Sequence, residues 1–148
     1  MTDVKEISTR TIAAFNAGDA KALDALSSDK VVLYAPGPTG RAAHRGREAV
    51  KSYNEAWFGA FPGGKLVVQN QQISNDYITV EGTFEGVNTG VWKAEGTDMP
   101  ATGKALKGHF CQVTKITDGL IESSNLYFDQ LDVMTQLGLM PAPAAAAV

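Results

Sequence analysis

The sequence predicts an α+β fold in which helices come first and an antiparallel sheet follows. Residues 3–17 place apolar side chains at helical spacing, and that period returns from about Arg47 to Phe61. From Lys65 onward the period changes to two, which is typical of strands. Because the strands follow one another with no helix between them, we expect helices on one face of a sheet. A sheet covered in this way can enclose a cavity.

The N-terminal part is predicted as two helices and one short strand. The first helix, over residues 3–17, ends at Gly18, and Asp19 can cap a second short helix. The β-rich run 31–34 follows and ends in the Pro- and Gly-rich turn 36–40.

The segment 40–46 is predicted as a solvated loop, although its basic side chains could attract an anionic group. These side chains are Arg41, His44, Arg45 and, just beyond the segment, Arg47. The third helix begins near Arg47 and ends before Pro62. One face of it carries a stripe separated by three, four and four residues: Val50, Tyr53, Trp57 and Phe61.

Four long strands are predicted for the second half of the chain. The first two are 66–73 and 77–88, joined by a turn at Asn75-Asp76, and the third is 104–117. Asp118-Gly119 is a strong hairpin signal because a type I′ turn needs positive φ at both central positions. The fourth strand follows this turn, and a short helix with apolar residues three apart ends the pattern.

Length and composition favour one soluble domain, residues 1–140, followed by a Pro/Ala-rich tail, residues 141–148. The 148 residues carry a net charge of −3 and no basic run, which argues against binding to nucleic acid or to a membrane surface. No signal peptide and no apolar run of about 20 residues are visible, so we expect a cytoplasmic protein. Cys111 is the single cysteine and predicts a small buried apolar side chain.

Asp129 is the first candidate for catalysis. Strand alternation counted from Ile121 places it on the same sheet face as Asn125 and Tyr127, at the end of a half-apolar face. A carboxyl group in an apolar pocket can act as both acid and base. The alternative role is an N-cap of the helix predicted at 130–137.

His109 is expected near Asp129, because pairing through the hairpin sets residues whose numbers sum to about 237 opposite each other. It could orient the carboxyl group, or it could be a core histidine. Asn125 and Tyr127 could bind a polar ligand or satisfy local backbone. The two histidines, His44 and His109, are far apart in sequence and predict no metal site.

Aromatic residues are expected to form both the core and the wall of a binding cavity. Tyr53, Trp57, Phe61 and Phe15 are the candidates, with Trp92 and Met99 as a cover over its mouth. The same alternation assigns a set of apolar residues to the outer sheet face, which would favour a homodimer. This set is Val80, Phe84, Phe110, Leu126 and Phe128.

The order of elements resembles the nuclear transport factor 2-like fold, and within it the SnoaL-like polyketide cyclases, also known as ester cyclases. The resemblance covers about residues 3–140 and is carried by four stretches: 46–62, 81–90, 100–103 and, most specifically, 127–139. It implies a cone-shaped curved antiparallel sheet wrapped around the N-terminal helices (a cystatin-like α+β barrel) with an internal cavity.

The resemblance also implies an activity. Characterised members close a ring in an aromatic polyketide by intramolecular aldol condensation, with no cofactor or metal, through one aspartate and a neighbouring histidine. The matching residues here are Asp129 and His109. Where many members have Gly-Thr-His-Thr-Gly, this chain has Gly-Val-Asn-Thr-Gly at 86–90, so Asn88 can hydrogen-bond a substrate but cannot transfer a proton.

Two functions therefore stay open. One is an enzyme that performs proton transfer on a small hydrophobic, polyketide-like carbonyl compound: a cyclase, an isomerase or a dehydrating lyase. The other is a non-catalytic protein of the same fold that binds a small apolar ligand or dimerises. A carboxyl group of Asp129 that faces an open cavity would favour catalysis, whereas one bound to backbone N–H groups at a helix start would favour a structural role.

Overall fold

The computed structural model describes residues 3–94 and 97–140, and the predicted tail at 141–148 lies outside the described residues. The predicted α+β class is confirmed. The helices are α1 (Val4–Asn16), α2 (Ala20–Ala25), α3 (Arg47–Ala60) and α4 (Gln130–Gln136). The strands are β1 (Ser27–Gly37), β2 (Gly40–Arg45), β3 (Lys65–Ser74), β4 (Tyr77–Val87), β5 (Trp92–Ala94), β6 (Thr97–Met99), β7 (Ala105–Thr117) and β8 (Leu120–Phe128). No helix in the described ranges is long and apolar enough to span a bilayer.

Six strands form the main sheet in the order β2-β1-β8-β7-β4-β3. The predicted meander of four long strands is confirmed by the antiparallel pairs β3–β4, β4–β7 and β7–β8. β1 pairs in parallel with β8, so the sheet is mixed rather than wholly antiparallel. The start of β1 has little strand propensity of its own, and its pairing partners make it a strand.

The segment predicted as a loop at 40–46 is strand β2. It pairs with β1 from Gly37 opposite Gly40 to Val32 opposite Arg45. Alternate side chains differ in exposure: Arg41 is exposed, whereas His44 is half-buried. Because β2 runs directly into α3, its inward side chains lie against that helix.

A short hairpin, β5–β6, interrupts the excursion between β4 and β7, where no strand was predicted. Trp92 anchors it, since its ring lies 4.9 Å from that of Trp57 on α3. Gly90, just before the hairpin, allows the close approach: a Cβ there would lie 1.8 Å from the carbonyl oxygen of Gly59. The hairpin is held by tertiary contacts that local sequence does not reveal.

The predicted turns are confirmed. Asn75 has a φ of 56°, and Asp118 and Gly119 have φ values of 52° and 75°, as a type I′ turn requires. Just beyond this hairpin turn, the pairing of β7 with β8 shifts register between Ile116–Ile121 and Lys115–Ser123. This irregularity inserts one residue into β8.

That inserted residue explains the main error in the sequence analysis. Ile121 and Ser124, three positions apart, both line the interior, so alternation counted from Ile121 assigns every later residue of β8 to the wrong face. The apolar set expected outside therefore faces inward: Phe84, Phe110, Leu126 and Phe128 line the internal cavity, and Val80 packs on the core. These residues therefore provide no apolar outer surface for a homodimer. The homodimer stays a prediction.

Two clusters form the core beneath the sheet. The larger surrounds Trp57, Phe61 and Phe84, and the smaller surrounds Ile7, Val31 and Ile121. Both draw residues from α1 or α3 on one side and from the sheet on the other. Residues of both clusters line the space between them.

Candidate active site

The fold encloses two adjacent spaces. An inner cavity of about 130 Å³ lies between the two core clusters, and a cleft of about 740 Å³ lies outside it. Tyr53, Trp57 and Phe128 line both spaces. These three residues therefore form the boundary between cavity and cleft.

The cleft has four walls: the β1–β2 turn region, α3, the β5–β6 hairpin and α4. Tyr53 and Trp57 face it together because residues four apart share one side of a helix. Trp92 and Met99, which were predicted to cover the mouth of the cavity, also line the cleft, and the Trp92 ring packs against that of Trp57. Leu131 and Met134 of α4 complete a largely apolar wall.

Trp57 is the centre of the aromatic wall. Its ring stacks on that of Phe61 at 5.5 Å, and the ring of Phe128 meets it edge-on at 5.8 Å. Phe15 lines the inner cavity, as predicted for the binding wall. Phe61 lines neither space and is 1% exposed, so it supports the ring of Trp57 from behind instead of contacting a ligand.

Two polar atoms at the cleft have no hydrogen-bond partner among the described residues: Tyr53 Oη and Gln130 Oε1. Both atoms are buried, and both residues line the cleft. Burial raises the pKa of the Tyr53 hydroxyl to about 12. The nearby Trp57 indole opposes this rise only in part, and the hydroxyl and the indole do not have the geometry of a hydrogen bond. The hydroxyl is therefore protonated at neutral pH and can donate a hydrogen bond.

His44 lies beside this hydroxyl-bearing ring. The His44 and Tyr53 ring centroids are 4.7 Å apart, and His44 lines the cleft. His44 was not predicted as a residue of this site, because segment 40–46 was expected to be a solvated loop. Exposure alternates along β2 and leaves His44 on the inner face, but the sequence Arg41-Ala42-Ala43-His44-Arg45 does not alternate between polar and apolar residues and so gave no strand signal.

Asp129 does not face the cavity, and the expectation that it does is wrong. Its side chain is exposed and accepts a hydrogen bond from the backbone N–H of Asp132 at 3.1 Å, as the N-cap of α4. The bulge in β8 gives the inner face to Leu126 and Phe128, and burial of two large apolar groups is more favourable than burial of a carboxylate.

His109 is also exposed, because its neighbours Gly108 and Phe110 take the inner face of β7. The last β7–β8 pair is Phe110 with Phe128, so His109 and Asp129 lie at the same end of the hairpin, as predicted, but on its outer side. Both members of the predicted pair therefore lie outside the cavity.

Asn125 and Tyr127 lie on the outer face as well. Arg41 donates a hydrogen bond to Asn125 Oδ1, and its guanidinium lies 4.5 Å from the centroid of the Tyr34 ring and 5.9 Å from that of Tyr127. Neither Asn125 nor Tyr127 lines the cavity or the cleft, so the predicted ligand contacts are not available there.

Asn88 is a structural amide rather than a ligand contact. Its Nδ2 donates to the carbonyl oxygens of Ala60 and Gly90, and its Oδ1 accepts from the N–H and hydroxyl of Thr102. The side chain is 1% exposed, and its hydrogen-bonding capacity is used within the protein. It joins the end of α3 to the loops around the hairpin.

The cleft and the cavity contain few ionisable groups. Of the lining residues that the structure describes, His44 and Lys93 are basic and none is Asp or Glu. Across residues 3–94 and 97–140, no group of three or more His, Cys, Asp or Glu side chains is arranged to hold a metal ion. The chemistry that the described site can offer is hydrogen bonding by Tyr53 and Gln130 and proton transfer by His44.

Solved structures share this architecture. A protein of Jannaschia sp. CCS1 assigned to the SnoaL-like polyketide cyclases is 20% identical, with a TM-score of 0.76 and 93% of each chain covered. IdmH of Streptomyces antibioticus, assigned as a polyketide cyclase, is 22% identical, with a TM-score of 0.74 over 93% of this chain and 99% of its own. A Catenulispora acidiphila protein with a ketosteroid isomerase-like fold is 19% identical, with a TM-score of 0.71 over 90% and 92% of the two chains.

These structural similarities establish the fold, and the predicted nuclear transport factor 2-like architecture is confirmed. No curated protein matches the chain. The SnoaL-like domain family matches residues 9–124, which is most of the sequence. The protein belongs to the SnoaL-like domain family.

Proposed function

We propose that this protein is an enzyme that transfers protons on a hydrophobic carbonyl compound held in the cleft, without a cofactor. The reaction is an intramolecular aldol ring closure or a related isomerisation. The observation that carries the proposal is the pair of buried, unpartnered polar atoms, Tyr53 Oη and Gln130 Oε1, in a largely apolar cleft where the Tyr53 ring also lies beside His44.

Unpartnered buried polar atoms require an explanation, because each costs about 1–3 kcal/mol relative to a satisfied one. A ligand that accepts a hydrogen bond from Tyr53 and donates one to Gln130 would remove both costs. A carbonyl oxygen is such an acceptor, and a hydroxyl group is such a donor. The aromatic wall around Trp57 suits the planar body of a ligand that carries both groups.

In the proposed reaction, His44 takes a proton from the carbon next to the carbonyl group. The negative charge moves to the carbonyl oxygen, which accepts a hydrogen bond from Tyr53 Oη. For ring closure, the resulting enolate carbon forms a bond to a second carbonyl carbon of the same molecule. The new alkoxide then takes the proton back from His44. For isomerisation, the proton returns to another carbon.

This proposal moves the acid/base role from Asp129 and His109 to His44, because the predicted pair lies outside the cleft. Histidine is suited to the role, since its side chain both accepts and releases protons near neutral pH. Tyr53 acts as an uncharged donor, since its raised pKa keeps it protonated.

The test is exchange of α-protons for deuterium in a panel of aryl ketones, followed by NMR in D₂O. We expect His44→Gln to lower the exchange rate by about 10²–10⁴ and Tyr53→Phe to lower it by about 10². His109→Gln is the matched control, because it changes the only other histidine, which is exposed, and should leave the rate unchanged. Loss of exchange in Asp129→Asn, with His44→Gln active, would return the role to Asp129.

A second function has support from one observation: among the described residues, no Asp or Glu lines the cleft or the cavity. A protein of this fold that only binds a small apolar ligand needs no strong base. If the wild-type protein binds aryl ketones tightly but catalyses no exchange with any of them, this second function is the better description.

A further inference from the structure

We infer that the methionines of the cleft, Met99, Met134 and Met140, form an oxidation site. A peroxide converts their thioether groups to sulfoxides, and the modified cleft binds apolar ligands more weakly. The inference rests on the proposed function only in treating the cleft as the place where a ligand lies. It adds a reversible chemical modification that controls binding there.

The first argument is the placement of the methionines. The sequence contains four, and the three that lie in the described ranges, Met99, Met134 and Met140, all line the cleft. They come from two separate parts of the chain, the β5–β6 hairpin and the C-terminal segment that contains α4. Among the described residues that line the inner cavity, the aliphatic side chains are those of Leu, Val and Ile, and none is Met. The thioether groups are therefore concentrated in the outer of the two spaces.

The second argument is access, because an oxidant must reach the sulfur atom. Met140 is 42% exposed, and Met99 and Met134 are half-buried. Leu131, the neighbour of Met134 on the cleft side of α4, is also exposed, so this wall is open to solvent. We expect Met140 to be oxidised first and the two half-buried methionines more slowly.

The reaction is a two-electron oxidation at sulfur. A lone pair of the thioether sulfur attacks one oxygen of hydrogen peroxide, the O–O bond breaks, and that oxygen stays on sulfur as the sulfoxide. The departing hydroxide takes the proton that the transferred oxygen loses, so water is the second product. Sulfur is oxidised and the peroxide is reduced, and no further reactant is needed.

The third argument is the effect of a sulfoxide at these positions. Met99 lies opposite Trp92 in the β5–β6 hairpin, and both Met99 and Met134 pack against the core cluster around Trp57. Oxidation turns a flexible apolar side chain into a polar one. An apolar ligand that covers it would remove water from the sulfoxide oxygen, which should weaken binding about tenfold.

The test uses the dye anilinonaphthalene sulfonate, which fluoresces on accessible apolar surface, as the probe of the cleft. After treatment with hydrogen peroxide, we expect mass spectrometry to find sulfoxide at all three methionines and the dye to bind about tenfold more weakly. Methionine sulfoxide reductases with dithiothreitol should restore binding, whereas dithiothreitol alone should not. Untreated protein that binds no dye, or oxidised protein with unchanged or stronger dye binding, would overturn the inference.

Matched variants make the test specific. The combination of Met99→Leu, Met134→Leu and Met140→Leu keeps apolar groups of similar volume, so it should bind the dye like the wild type and keep binding it after peroxide. Cys111 lines neither space, and Cys111→Ala should respond to peroxide as the wild type does. Loss of binding in the triple variant, or protection by Cys111→Ala, would overturn the inference. If the triple variant does not fold, the reductase experiment on the wild type decides.

The two proposals can fail separately, because neither dye binding nor mass spectrometry requires proton exchange. A reversible loss of dye binding, together with no exchange of any ketone, supports the oxidation site and counts against the proposed reaction. Exchange that depends on His44 and keeps its rate after full oxidation of the three methionines supports the reaction and overturns the oxidation site.

Discussion

The Tyr53 ring lies 4.7 Å from the His44 ring, at an angle of 50° between their planes. The contact joins α3 to the end of β2, two elements separated by a single glycine, Gly46. It places a titratable imidazole beside a hydroxyl group that has no hydrogen-bond partner among the described residues. An imidazole ring and an uncharged hydrogen-bond donor therefore face the same cleft.

Titration of tyrosine absorbance should show a phase near pH 12 that belongs to Tyr53, because burial raises its pKa from 10.0 to about 12. The phase should be absent from Tyr53→Phe and present in Tyr127→Phe, whose side chain is 51% exposed. A spectrum of Tyr53→Phe that keeps the late phase would contradict the assignment.

The same shift predicts a loss of stability at high pH. Since the folded pKa is raised, the stabilisation is fully present below pH 10 and is lost as the pH rises through about 12. The two-unit difference corresponds to about 3 kcal/mol of unfolding free energy. Urea unfolding across this range should show the loss in the wild type but not in Tyr53→Phe.

Asp129 should affect stability and not activity. Asp129→Ala removes the N-cap of α4 and should cost about 0.5–2 kcal/mol, whereas Asp129→Asn keeps a good cap and should cost little. Both variants should exchange α-protons at the wild-type rate. Chemical denaturation and the exchange assay measure the two effects, and a slow Asp129→Asn of normal stability would refute this prediction.

Asn88→Ala should destabilise the fold strongly. It removes four hydrogen bonds and leaves the backbone N–H and the hydroxyl of Thr102 without the acceptor that they share, which should cost more than about 3 kcal/mol. Asn70→Ala is the control: Asn70 is exposed and its amide donates to Glu81, so the change should cost less than about 0.5 kcal/mol. Similar midpoints of denaturation in both variants would contradict the role given to Asn88.

Gly90→Ala should displace the β5–β6 hairpin. The added Cβ would lie 1.8 Å from the carbonyl oxygen of Gly59, so the backbone must move and Trp92 must leave Trp57. We expect a loss of thermal stability and a shift of tryptophan emission to longer wavelength. Gly59→Ala, at the other side of the same contact, has open space for its Cβ and should retain the wild-type spectrum.

The pair of Asp24 and Arg47 should stabilise the protein only while Asp24 is ionised. Arg47 donates to both carboxylate oxygens of Asp24, at 3.0 and 2.7 Å, and this hydrogen bonding lowers the pKa of Asp24 below its ordinary value of 3.8. The stabilisation is present above that value and is lost as the pH falls through the lowered folded pKa. Asp24→Asn should therefore be less stable than the wild type at pH 7, with the gap closing as the pH falls below 3.8 and through the lowered folded pKa. A gap unchanged by pH would exclude this ion pair as its cause.

Periodicity was sufficient for most elements of the fold. The stripe from Val50 to Phe61 predicted α3, and Asp118-Gly119 predicted the final hairpin, because helix faces and type I′ turns depend on residues close together in the chain. β2 and the β5–β6 hairpin were not predicted from the sequence. Pairing with β1 holds β2, and packing of Trp92 on Trp57 holds the hairpin, and local propensity does not record such long-range contacts.

For the candidate site too, some features follow from the sequence and others from the tertiary structure. The sequence by itself determined the class of the fold and the aromatic wall of α3, since each follows from local spacing, whereas it offered the helix cap at Asp129 only as the alternative to a catalytic role. Only the tertiary structure decided which residues face the interior. One extra residue in β8 between Ile121 and Ser124 reverses the face of every later side chain. That reversal places Asp129 in solvent and Phe128 in the wall, and it leaves His44 and Tyr53 as the groups that face the cleft.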